Sequence, residues 1–155
     1  MGGTGWTYRT RWLGSFADSL EALKLEVLAG GDYQYRPMEG EMPPATVAEL
    51  MDLLADGEGM EGGTHSILDI YEFGDPAALD ADLRGGTYFH RLYPVADHEV
   101  LALFGTPRPT LADWSRIEED DAHNGLAPGR WMGRCTVLHV ADRPDEVVFW
   151  GSSGY

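Results

Sequence analysis

Five histidines, one cysteine and a dense run of carboxylates are the residues of this 155-residue chain that chemistry would draw on. His65, Asp69 and Glu72 lie close together, with His90 further along. A histidine with two carboxylates holds a metal or moves protons only if the groups converge. Read as a strand, residues 65–72 put His65 and Asp69 on one face but roughly 13 Å apart, too far for one ion. No two histidines stand at i, i+4 on a helix, and Cys135 has no second cysteine to pair with. No metal site and no cofactor are therefore expected.

Nucleophilic chemistry fares no better. Ser66 and Ser115 lack the Gly-x-Ser-x-Gly elbow. Cys135 and His139 share a strand face at about 13 Å, beyond direct proton transfer. Packing is the expected role of Cys135. Gly57 to Gly63 forms an acidic glycine loop, but no Gly-Lys-Ser/Thr follows it, and Glu58 and Glu61 would repel phosphate. Asp69 and Glu72 are acids in an otherwise apolar segment, where desolvation would raise a carboxyl toward acid–base duty. Strand parity puts these two acids on opposite faces, and the favoured reading is that one faces water while the other pairs with an arginine such as Arg91 or Arg134.

The elements that would carry these groups are legible from periodicity. Trp6 to Leu13 alternates as a first strand. Ser15 and Asp18 form a capping pair ahead of Phe16, Leu20, Leu23 and Val27, which predicts a helix over 16–29 closed by Gly30-Gly31. Tyr33 to Met38 reads as a short edge strand, and Thr46 with Glu49 caps a second helix carrying Val47, Leu50, Met51 and Leu54. Ser66 to Phe73 reads as a buried strand. Asp75-Pro76 starts a third helix, Thr87 to Tyr93 a strand, Asp97 caps a fourth helix and Thr110 to Asp113 a fifth. Trp131 to Val140 and Glu146 to Trp150 form a closing hairpin joined by residues 141–145. The expectation is one α+β domain over residues 1–155, with a mixed α/β fold as the alternative. It has about six strands in a largely antiparallel sheet, four to five helices and a mobile tail at 151–155.

Charge is the most unusual property. The formal net charge is −15. Pro37 to Leu83 contains Glu39, Glu41, Glu49, Asp52, Asp56, Glu58, Glu61, Asp69, Glu72, Asp75, Asp80 and Asp82, and not one Lys or Arg. Such a chain is a poor ligand for nucleic acid or anionic lipid, both of which need cations. No apolar run approaches the ~18–20 residues of a membrane span, and a cytoplasmic location is expected. The hydrophobic content of 43% excludes disorder as the source of the acidity.

These features predict a non-enzymatic acidic binding protein that neutralises a basic protein partner, as an immunity protein or antitoxin does to a cationic toxin enzyme. The expected contact surface is Glu39, Glu41, Glu49, Asp52, Glu58 and Glu61, with Tyr35 or Met60 inserting into the partner. Two readings stay open beside it. One is a small enzyme or ligand-binding domain with a cleft near residues 57–73, using His65, Asp69, Glu72 and His90. The other is a structural or oligomeric subunit with an aromatic homomeric interface.

Overall fold

Trp6 and Tyr8 alternate with Thr7 and Arg9, and the chain opens as a strand, β1 (Thr4–Arg11). The computed structural model describes residues 4–34, 42, 44–55 and 63–153. The hydroxyl of Ser15 accepts the Asp18 amide at 3.1 Å and starts α1 (Phe16–Gly30). Gly31, at φ 66°, ends it in the left-handed conformation that glycine adopts without a Cβ penalty. Leu20, Leu23 and Val27 form its buried stripe. In α2 (Val47–Ala55) the Glu49 amide donates to Thr46 Oγ1 at 3.1 Å, and Glu49 Oε2 accepts from the Ala45 amide at 2.8 Å. Leu50 anchors this helix at 0% exposure.

The remaining elements are β2 (Glu72–Phe73), α3 (Leu79–Gly85), β3 (Arg91–Pro94), α4 (Asp97–Phe104), α5 (Leu111–Glu119), β4 (Met132–Val140) and β5 (Arg143–Ser153). The fold is α+β, with one sheet in the order β1-β5-β4-β3-β2. β5 pairs antiparallel with β1 and β4, while β3 pairs parallel with both β4 and β2. Among the described residues the sheet has five strands, one fewer than the six or so expected; it is mixed, and most of its paired residues are antiparallel, as expected.

Four expectations change. Ser66 to Phe73 is not one strand: Ile67–Asp69 is a 3-10 turn, and only Glu72–Phe73 pairs. Ser66 Oγ accepts the Leu68 amide at 3.1 Å, a local bond that competes with a ladder, and the turn buries Ile67, Leu68 and Ile70 together. Asp97 is the first residue of α4 rather than its cap, and Glu99 closes that end on the Ala96 amide at 3.2 Å. The hairpin turn is Ala141-Asp142 alone, both at positive φ (49° and 62°), the geometry that suits a two-residue connection. β5 runs through Ser153, so residues 151–153 are part of the sheet rather than a tail. The expected strand at 33–38 reaches beyond the described residues; Gln34 donates its amide to Thr64 O at 2.8 Å.

Both faces of the sheet are covered. Val147 and Phe149 of β5 face a core shared with α1, α2 and residues 67–70, whereas Val148 and Trp150 face one shared with α4 and α5. The first helical layer bridges the chain from edge strand β1 to the opposite edge strand β2. Gly133 and Gly151 are register partners beside the Trp6 indole, and a Cβ on either would sit within 2.7 Å of that ring. Trp6 Nε1 donates to Ser153 Oγ at 3.0 Å, which locks the first strand to the last.

Candidate functional site

Two regions compete for function: the polar junction where β2, β3 and β4 begin, and the outer surface of the α1–α2 layer. The junction is built by the short stretch Gly63 to Ile70. Thr64 donates to Asp69 Oδ1 from its amide at 2.7 Å and from its hydroxyl at 2.9 Å. With that proton committed, Ser66 donates its own to Thr64 Oγ1 at 2.7 Å and accepts from the Leu68 amide. A directed chain of hydrogen bonds thus ends on Asp69, which is 1% exposed. Its second oxygen, Oδ2, is buried without a partner among the described residues, an arrangement that costs about 1–3 kcal/mol where it stays dry.

His90 meets the same residue through the backbone. Its Nδ1 lies 2.7 Å from the Asp69 carbonyl, which only accepts, so Nδ1 carries the proton and Nε2 keeps its lone pair in the neutral ring. The ring stacks on Tyr71 at 4.2 Å and leans on Trp131 at 5.4 Å. His65, His90 and Trp131 all adopt positive φ, at 53°, 62° and 63°. Side-chain-bearing residues rarely do so, and such strain gathers at functional sites and tight junctions. Here the backbone explains it: the Tyr71 amide donates to His90 O at 2.8 Å, and the Trp131 amide to Ser152 O at 2.9 Å, so the strands are joined across their ends.

Of the four polar residues proposed from sequence, the fold joins Asp69 and His90, keeps His65 on the same turn and draws Glu72 away. Glu72 forms an exposed ion pair with Arg91 at 2.8 Å, one of the two pairings expected from sequence. The other arginine, Arg134, pairs instead with Glu99 at 2.7 Å. Among the described residues, no three metal-ligating side chains group together. Gly57, Gly59 and Gly62 stand at the spacing of a dinucleotide-binding loop, but they follow a helix, α2, where that loop requires a preceding strand.

A second polar cluster escaped sequence reasoning. Tyr93 donates to Asp82 Oδ2 at 2.8 Å, Thr87 to Oδ1 at 3.0 Å, and Arg91 lies 3.3 Å from Oδ2. Burial first, and then the Asp82 carboxylate, push the Tyr93 hydroxyl up to about 12. The Tyr93 and Thr87 hydrogen bonds hold Asp82 below its ordinary value.

The α1–α2 layer has a different character. Asp18, Glu21 and Glu26 on α1 and Glu49 and Asp52 on α2 are exposed. Their one cationic neighbour in these helices, Lys24, is turned inward: its Nζ donates to the Ile70 carbonyl, and burial lowers its pKa. The ion pairs among the described residues join Arg9 to Glu146, Arg91 to Glu72 and Asp82, Arg108 to Asp142, Arg116 to Asp113 and Arg134 to Glu99. None uses an acid of α1 or α2. The Lys24 bond also ties α1 to the segment bearing Tyr71, one of the exposed aromatics of this end together with Phe73 and Phe89.

Glu49 and Asp52 of the expected contact surface lie on this layer. Tyr35, Glu39, Glu41, Glu58, Met60 and Glu61 lie outside the described residues. Asp18, Glu21 and Glu26 were missed because they lie outside Pro37 to Leu83, the stretch without Lys or Arg on which the expected surface was drawn. Among the described residues no helix is long and apolar enough to cross a membrane. No known family model, characterised protein or solved structure matches this chain.

Proposed function

We propose that this protein binds and masks a basic protein partner, in the manner of an immunity protein or antitoxin against a cationic toxin enzyme. The observation that carries the proposal is the α1–α2 layer, where five exposed carboxylates have no ion-pair partner among the described residues and the one lysine is committed to an interior carbonyl. A field of one sign on one face speeds encounter with an oppositely charged cleft by ~10–10³-fold at low ionic strength. Exposed Tyr71, Phe73 and Phe89 supply the aromatic area on which such contacts commonly anchor.

The test begins with capture of the partner from the source cells on immobilised protein, followed by association kinetics with the purified partner. The triple variant Glu21→Lys, Glu49→Lys, Asp52→Lys should slow association at least tenfold at low salt, with the difference shrinking as salt rises. A partner that is not basic, or association indifferent to both the reversals and the salt, refutes the proposal.

The enzyme reading is favoured by one observation, the His90 ring whose Nδ1 is pinned on the Asp69 carbonyl, which leaves the ring's lone pair on Nε2. It requires substrate beside Asp69, which is sealed at 1% exposure. A tight small-molecule ligand recovered from source-cell extract, whose binding is lost in His90→Ala, would decide for it.

A further inference from the structure

Between α1 and α2 lies a cleft of about 310 Å³, lined by Ala17, Leu20, Glu21, Lys24, Leu25 and Val47. The five α1 residues recur at i, i+3, i+4, i+7 and i+8, one continuous stripe of the helix. Leu20 is buried on that stripe, whereas Leu25 is 54% exposed. A volume at the lower end of the ~300–1,000 Å³ of ligand pockets has room for anchoring side chains.

We infer that this cleft is where the basic partner anchors, and that its occupant is an amphipathic helix carrying an apolar residue flanked by Lys or Arg. The inference rests on the proposed function and names the contact within it. Three features select that occupant. The walls are apolar apart from Glu21 and Lys24. Lys24 lines the cleft but its ammonium is drawn inward onto the Ile70 carbonyl, and Glu21 has no ion pair among the described residues. The exposed acids Asp18 on α1 and Glu49 and Asp52 on α2 extend the negative field over both helices. A helix seated in a two-helix groove presents anchors at i, i+3, i+4 and i+7, the same spacing as the α1 stripe that would receive them. An acidic helix would meet the like charge of these exposed acids, and an uncharged one would gain nothing from it.

The probe is an 18-residue Leu/Lys peptide with leucines at helical spacing, compared with a Leu/Glu peptide of the same pattern and a Lys-rich peptide without leucine. Binding is read by calorimetry and by amide chemical-shift perturbation of the full chain. The Leu/Lys peptide should bind and shift α1 and α2 amides. Leu25→Asp and Glu21→Lys should each weaken it about tenfold more than the control reversals Asp97→Lys and Glu118→Lys on the opposite helical layer. The leucine-free peptide should not be weakened by Leu25→Asp, which removes only the apolar contact and adds an acid. No binding of the Leu/Lys peptide, equal weakening by cleft and control variants, or shifts centred on α4 and α5 would overturn the inference. Leu25 is exposed, so Leu25→Asp should fold, which far-ultraviolet dichroism verifies. If the native partner depends on Glu49 and Asp52 but ignores Leu25→Asp, the cleft assignment fails and the proposed function stands. If the peptide docks as described but the captured partner is not basic, the proposed function fails instead.

Discussion

Replacing Arg134 by Met should be among the most destabilising single changes in this protein. Arg134 is 0% exposed, and its guanidinium donates to three carbonyls, Tyr93 O at 3.0 Å, Leu126 O at 2.9 Å and Pro94 O at 3.3 Å. It also grips both oxygens of Glu99, at 2.7 and 3.2 Å. One side chain thus connects the end of β3, the start of α4 and the loop before β4. Removing one member of a buried ion pair costs about 3–5 kcal/mol because the other is left uncompensated. Glu99 retains 20% side-chain exposure and regains some water, which lowers the figure. The carbonyls deprived of their donor raise it, at about 1–3 kcal/mol for each that stays dry. The expected loss is therefore about 4 kcal/mol, a large share of the ~5–15 kcal/mol that holds such domains. In urea denaturation this moves the midpoint down by more than about 1 M. In the double variant with Glu99→Gln the two losses should fail to add by about 1 kcal/mol or more. Acid should act on the same pair. Burial pushes the Glu99 carboxyl up, but Arg134 and the Ala96 amide outweigh it and hold the group below its ordinary value of 4.5. The contribution is complete above that value and is lost as pH falls through the lowered one, so wild type and Glu99→Gln should converge on acidification. A loss under about 1 kcal/mol for Arg134→Met, or strict additivity with Glu99→Gln, would show that the guanidinium merely fills space.

Two further outcomes follow from the polar network and the tight turn. Tyr93 should titrate near 12, visible as a late tyrosinate absorbance step that Tyr93→Phe abolishes. The folded state keeps this proton after the unfolded chain loses it at 10.0, so stability falls as pH rises between those values; equal alkaline slopes for wild type and Tyr93→Phe would contradict this. Gly63→Ala should cost about 2–4 kcal/mol, from left-handed strain at φ 70° together with a Cβ only 2.4 Å from the Trp131 ring and 2.8 Å from Asp69 Oδ1. A midpoint within error of wild type would mean the Gly63 turn relaxes freely.

The sequence alone determined what neighbouring residues settle between themselves. Ser15, Thr46 with Glu49 and Thr110 with Asp113 start helices where expected, and Asp75 caps the 3-10 turn Pro76–Ala78 that leads into α3, because a cap bonds an amide two or three residues away. The final hairpin and the acidic middle were legible for the same reason. Residues 66–73 were not, since Ile67, Leu68 and Ile70 suit a buried strand and a buried turn equally, and the choice was made by packing on α1 and by Thr64 bonding Asp69. Arg134 and Glu99 are 35 residues apart, and nothing local pairs them. The candidate surface divides in the same way. Its charge is written in composition, but whether that charge is free depended on Lys24 reaching 46 residues ahead to the Ile70 carbonyl, a contact that exists only once α1 lies across the sheet.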